Sequence, residues 1–214
     1  MYPLNILYCF DENYNLQALT SMISLLDFIS QPINIFIIHS DENFLNFIPS
    51  DILNHVNLND ISVYQFKDSD YNFPNTKDVH ITEATYYRIF ISNYLPEYVE
   101  NIIFLDCDVI CLVDPIEYFK LEIEKLTKSN FVLSARTEHE KEIDEINNAI
   151  YKRLDMNGPY FNAGVMFIDY KKWKRENIQN KLIIKMTEYK DQIYQWDQDV
   201  LNSLFDGKYI ELDV

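Results

Sequence analysis

The sequence predicts an α/β protein: one domain over residues 1–214, built on a mainly parallel, mixed sheet flanked by helices. Three observations predict it. Short apolar runs rich in β-branched and aromatic residues recur along the chain, and segments of helical periodicity follow them, the alternation that yields parallel strands covered on both faces. Several runs are uninterrupted instead of alternating polar with apolar, as strands buried on both faces are. No internal repeat, low-complexity tract or Pro/Gly-rich linker divides the chain, and 48% apolar with 15% aromatic residues suffice for a sizeable core.

The elements follow in order. Asn5 to Phe10 is the first buried strand, and after it Leu16, Leu19, Ile23 and Leu26 recur at helical spacing. Ile33 to Ile38 and Ile61 to Phe66 are the next strands; the Asn-rich stretch between them has no assignable element. Thr82 to Asn93 reads as a helix with Tyr86, Tyr87, Ile89 and Phe90 on its buried side. The strongest strand signal is Asn101 to Leu105, which runs into Asp106-Cys107-Asp108 and a further apolar run, Val109 to Val113. Strands are expected at Phe131 to Ala135 and Ala163 to Ile168, and helices near Glu138 to Leu154, Lys171 to Tyr189 and Asp197 to Phe205. Tyr209 to Val214 reads as the middle of a strand.

Composition removes several functions. With 34 acids against 18 bases the net charge is -16, and no basic block supplies the footprint that nucleic acid or an anionic membrane requires. Gly158, Gly164 and Gly207, the 3 glycines, are too scattered for a dinucleotide fingerprint or a P-loop. Any phosphorylated ligand must be held another way. The cysteines Cys9, Cys107 and Cys111 form no CxxC and leave an odd number for disulfides, which points to a reducing compartment. No transmembrane segment and no signal peptide is expected. The location read from this is cytoplasmic, with peripheral association at the inner membrane face left open. The single basic cluster, Lys171 to Arg175, reads better as a solvated helix start with Trp173 packed inward than as a membrane contact.

Ligands of open α/β sheets bind beyond the carboxyl ends of the strands, and polar groups cluster at such ends here. Asp11-Glu12-Asn13 follows strand one, where short side chains could read a heterocycle or ribose, although Asp11 or Asn13 equally suits an N-cap. Asp106 and Asp108 are two carboxylates one residue apart at the end of a buried strand. Their repulsion costs stability unless a cation or strong donors neutralise it, and a hard divalent ion is the natural partner. A solvated turn is the bland alternative. Gly164, opening a buried strand after Tyr160-Phe161-Asn162-Ala163, signals close approach of another backbone or a ligand, with a β-bulge as the alternative. Asp197-Gln198-Asp199 opens the last helix, where its dipole favours acids whatever their function.

In order and spacing these stretches resemble family 8 glycosyltransferases, retaining nucleotide-sugar enzymes. The matching segments are YCFDENY at 8–14, HITEATYYRIFI at 80–91, IIFLDCDVICLVDP at 102–115, YFNAGVMFIDYKKWKREN at 160–177 and YQWDQDVLNSLFDGK at 194–208. The resemblance implies a GT-A type fold with a Rossmann-like nucleotide-binding core, a UDP-sugar donor carrying glucose or galactose, and Mn²⁺ or Mg²⁺. By position it places Cys9, Asp11 and Asn13 at the uridine and Arg88 near the donor phosphates and sugar. Asp106 and Asp108 become metal ligands, with Cys107 between them in the donor site. Asn162 and Ala163 become donor-sugar contacts, and Asp197 and Gln198 the polar pair beside the anomeric carbon. His80 falls where an acceptor-side histidine occurs, and equally suits a surface position before a helix. The acceptor is a saccharide, free or linked to lipid or protein. Front-face attack and a covalent intermediate both remain available for retention.

Two departures accompany the resemblance. Arg136-Thr137-Glu138 stands where the family usually carries an acidic sugar-binding residue, so Arg136 draws suspicion. The HxxGxxKPW segment that supplies a third metal ligand is absent from these 214 residues, so the core is expected to be C-terminally truncated relative to the family pattern. That leaves a non-catalytic UDP-sugar-binding remnant as an alternative. A haloacid-dehalogenase-type phosphatase with Asp106 as nucleophile is a further one, although its DxD would open the chain.

Overall fold

In the computed structural model, which describes residues 3–68, 70–74, 82–139 and 145–213, the first apolar run forms strand β1 (Leu4–Phe10). Strands β2 (Ile33–His39), β3 (Leu58–Gln65), β4 (Asn101–Leu105), β5 (Leu133–His139), β6 (Tyr160–Asp169) and β7 (Ile210–Glu211) complete one sheet, in the order β3-β2-β1-β4-β6-β5-β7. All pairings are parallel except those of β6, which runs against both β4 and β5. The mainly parallel, mixed sheet is therefore as expected, with a single reversed strand.

Alternate residues of the central strands feed two cores. Leu7, Phe36 and Phe104 face one side, while Ile6, Ile35 and Ile103 face the other. Helices cover both sides, which explains why these strands read as continuous apolar runs. Each fully buried Ile, Leu or Phe contributes roughly 1.5–3 kcal/mol.

Local chemistry shifts several boundaries. Helix α1 (Asn15–Phe28) buries Ala18, Met22, Leu25 and Leu26, whereas Leu16 is 78% exposed. Leu19 and Ile23 pack partly buried against the same core, so of the predicted stripe only Leu16 turns outward, and Ala18, Met22 and Leu25 widen the buried face. The Asn-rich stretch holds a 3₁₀ turn (Phe44–Phe47) and the one-turn helix α2 (Ser50–Leu53). Glu83–Asn93 is a 3₁₀ segment, not an α-helix, kinked at Phe90 and capped by Thr82, whose side chain accepts from Ala84 N. After β4, Val109 to Val113 forms no strand, and Ile110, Leu112 and Val113 stay exposed ahead of α3 (Ile116–Lys128).

Strand β5 takes in Glu138 and His139, which had been assigned to a helix, and α4 spans Glu145–Leu154. The predicted helix Lys171 to Tyr189 is two, α5 (Tyr170–Arg175) and α6 (Ile178–Glu188), broken at Asn177, whose φ of 55° is left-handed. Asparagine tolerates that conformation better than most residues. Helix α7 (Trp196–Phe205) follows, and the last expected strand shrinks to the two residues of β7.

The basic cluster on α5 is spent internally. Trp173 is buried, Lys172 Nζ lies 2.7 Å from Leu126 O and 3.0 Å from Asp169 Oδ2, and Lys171 and Lys174 pair with Glu100 and Glu97. The ammonium of Lys172 thereby caps the carbonyl end of α3.

Candidate active site

The reversal of β6 assembles the site. Because β6 runs against β4, its first residues lie beside the carboxyl end of β4: Leu105 pairs with Val165, and Asp106 N donates to Gly164 O at 2.8 Å. The Asn162-Ala163-Gly164 segment and the two aspartates thus meet at one rim, next to the end of β1. Outward from β1 and β4 the strand order proceeds in opposite senses, so the rim is a topological switch point, where such sheets bind ligands.

Gly164 has a steric reason. A Cβ there would lie 3.0 Å from both Asp106 Oδ2 and Asn162 Oδ1. The close neighbours are therefore a side-chain carboxylate and a side-chain amide, where the sequence had suggested another backbone or a ligand. Gly164→Ala should displace Asp106 by a few tenths of an ångström and weaken Mn²⁺-dependent UDP binding about tenfold, roughly 1.4 kcal/mol, with the melting temperature little changed. Calorimetry on the two proteins checks this; equal affinities would remove the constraint.

Arg88 is the hub. It is 6% exposed and stacks 4.0 Å from the centroid of Phe104. Its Nη2 donates to Asp106 Oδ1 at 2.9 Å, its Nη1 to Ala163 O at 2.6 Å and its Nε to Thr85 O at 3.2 Å. Nε also lies 2.9 Å from Asp197 Oδ2, an ion pair off the N–H axis, so that buried oxygen has no aligned donor. Burial pulls the guanidinium pKa down, but Asp106 and Asp197 outweigh it and the net direction is up. Asp197 is 3% exposed; burial pushes its carboxyl up to about 6, against the lowering pull of Arg88 and of the Thr85 hydroxyl that donates to it.

Gln198 is fixed from three directions. Its Oε1 accepts from Ala163 N at 2.9 Å, and its Nε2 donates to Glu138 Oε2 at 2.9 Å and to Tyr160 OH at 3.3 Å. Asn162 Oδ1 accepts from Gly164 N at 2.8 Å, and its amide points at Glu138 Oε2, 3.5 Å away. Glu138 is therefore the acid between Asn162 and Gln198. Arg136 turns instead to Glu211 and Leu212 O on the β7 side, which corrects the suspicion raised by sequence. The signal for Glu138 was its place two residues beyond Arg136 on a strand, and this was missed because the strand was expected to end at Ala135.

The other predicted residues divide. Cys9, Arg88, Asp106, Cys107 and Asp108 line one open cleft, joined by Tyr14, Thr82 and Thr85, which sequence reasoning did not single out. Asp11 is buried and caps the 3₁₀ turn Glu12–Tyr14, accepting from Asn13 N at 3.0 Å, while Asn13 is exposed. Neither lines that cleft. His80 lies outside the described residues.

The donor chemistry fits a hard cation. Burial pushes the Cys9 and Cys107 thiols up, so carboxylate oxygens are the anionic ligands the cleft offers. Asp106 gives Oδ1 to Arg88, which leaves Oδ2, and Asp108 is exposed at the lip. Among the described residues no group of three or more His, Cys, Asp or Glu is placed to hold a metal. Two carboxylates suit Mg²⁺ or Mn²⁺ when ligand phosphates and water complete the shell.

Comparison with known proteins places this GT-A type fold. The chain matches "Glycosyl transferase family 8" over residues 5–214 and belongs to that family. It is 31% identical over 214 residues to a putative glycosyltransferase of Haemophilus influenzae, an alignment covering 96% of this chain and 60% of that protein. With the lipopolysaccharide 1,3-galactosyltransferase of Salmonella typhimurium it shares 31% over 137 residues, 61% of this chain and 38% of that one. The galactosyltransferase LgtC, solved with donor and acceptor sugar analogues, has the same fold: TM-score 0.81 at 23% identity, covering 97% of this chain and 73% of that one. The chain spans 60%, 44% and 25% of the first three curated relatives. Family membership removes the basis for the phosphatase reading. Among the described residues no helix is long and apolar enough to cross a membrane.

Proposed function

We propose that the protein transfers a hexose, glucose or galactose, from a UDP-sugar to a saccharide or glycoconjugate acceptor with retention of configuration, using a divalent cation at Asp106 and Asp108. The observation that carries this is Arg88, which ties Asp106 to Asp197 through 2.9 Å contacts and holds Ala163 O, so that the phosphate side and the sugar side form one unit. Bound between the two aspartates, Mn²⁺ or Mg²⁺ would supply Lewis-acid stabilisation of the charge that develops on the departing diphosphate.

The protein's own residues do the rest. Arg88, a buried cation, adds positive potential where that charge grows. Glu138, Asn162 and Gln198 form an arc of acceptors and amides suited to sugar hydroxyls. Asp197 stabilises positive character at the anomeric carbon. With Oδ1 on Thr85 and Oδ2 enclosed, Asp197 is poorly presented as a nucleophile, which favours front-face attack over a covalent intermediate.

Incubation with UDP-glucose or UDP-galactose and Mn²⁺ should release UDP, and a chelator should suppress release at least a hundredfold. UDP binding without release from either donor would leave a non-catalytic binder. Release insensitive to chelator would remove the metal.

A further inference from the structure

The Gln198 amide is oriented by a buried relay that begins on α4, at a distance from the cleft. Tyr160, 1% exposed, donates its hydroxyl to Asp199 Oδ1 at 2.8 Å, and its phenolic oxygen accepts from Gln198 Nε2 at 3.3 Å. Asp199, fully buried, is held in turn by Arg153, with Nη1 to Oδ2 at 2.5 Å and Nη2 to Oδ1 at 3.2 Å. Burial and Asp199 push the Tyr160 phenol well above its ordinary value, so its O–H remains a donor. With the proton committed to Asp199, the phenolic oxygen can only accept from Gln198. That polarity is consistent with one orientation alone: Nε2 toward Tyr160 and Glu138, Oε1 toward Ala163 N. A flipped amide would set Oε1 against Tyr160 oxygen and the Glu138 carboxylate, and Nε2 against an N–H.

We infer that Tyr160 is a positioning residue that, with Asp199 and Arg153 behind it, fixes which face of the Gln198 amide meets the donor sugar. This rests on the transferase reading. Its strength lies in direction: every hydrogen bond from Arg153 to Gln198 has an assigned donor, so the orientation of the last group follows from the charge of the first.

Tyr160→Phe keeps the ring and removes the oxygen. Its kcat for hexosyl transfer should fall about tenfold with the KM for donor unchanged, and in a Gln198→Ala background the same substitution should change kcat less than twofold. Equal losses in both backgrounds, or no loss in the first, would overturn the proposal, since a purely structural effect is indifferent to Gln198. A second readout needs no turnover: the side-chain amide ¹H–¹⁵N resonances of Gln198, assigned by their loss in Gln198→Ala, should shift in Tyr160→Phe. Unmoved resonances would overturn the relay. Wild-type protein inert toward both UDP-sugars would count against the transferase reading, while the resonances still decide the orientation.

Discussion

Asp106→Asn should abolish metal-dependent UDP binding and lower hexosyl transfer by about three orders of magnitude. The protein carries 34 acids against 18 bases, and with 3 scattered glycines it lacks a backbone cradle, so a diphosphate approaches a net repulsive surface. Asp106 addresses this twice. One oxygen pairs with Arg88, and the other faces the rim beside Gly164, where a cation would recruit the phosphates. An amide is a weaker ligand for a hard cation and a poorer partner for Arg88, so both contributions fall together. The fold should survive, because Arg88 keeps Asp197, Ala163 O and Thr85 O. Calorimetric titration of UDP in the presence of Mn²⁺ checks it; unchanged affinity would sink the metal assignment. Asp108→Asn, at the exposed lip, should weaken binding without loosening Arg88.

What sequence conveyed about this site depended on how local each cause was. The Asn101 to Leu105 strand was legible because burial on both faces leaves an uninterrupted apolar run, and the rim aspartates follow it directly. Asp11 carried two readings, cap and ligand; its carboxylate does accept from Asn13 N, a contact set by three adjacent residues. Glu138 was misplaced because its role depends on β5 continuing past a register shift between Ala135 and Arg136. A bulge reassigns which side chain faces the cleft, and alternation alone does not reveal it. The same holds for α7. Asn202 accepts from Phe161 N and donates to Phe161 O, both at 2.8 Å, while Gln198 takes Ala163 N. Residues four apart on a helix face thus grip residues two apart on a strand. The FNAG and DQDVLN segments occur together because each satisfies the other's polar groups across about 40 residues.

Asp199→Ala should be the most destabilising of the changes considered, by about 3–5 kcal/mol. Asp199 is 0% exposed, yet its two oxygens take the Arg153 guanidinium, the Tyr160 hydroxyl and the backbone N–H groups of Tyr194 and Gln195, the last two at 2.7 and 2.8 Å. Truncation would leave a guanidinium 12% exposed, the buried Tyr160 hydroxyl and two backbone N–H groups without this acceptor. The grip on residues 194 and 195 also holds Trp196 at φ 46°, a left-handed conformation unusual for a bulky side chain and worth roughly 1–3 kcal/mol of strain. Releasing that strain returns part of the loss, so the lower end of the range is expected, a fall in melting temperature of roughly 10 °C for a chain of this size. Asp199→Asn keeps one acceptor and should lose less. Arg153→Met combined with Asp199→Leu removes both charges and should recover much of the stability, because an unpaired buried charge costs more than an absent pair. Urea unfolding of the four proteins distinguishes these outcomes: a loss below about 1 kcal/mol in Asp199→Ala, or no recovery in the double variant, would show that the carboxylate is not what anchors α7 and, through it, Asp197 and Gln198.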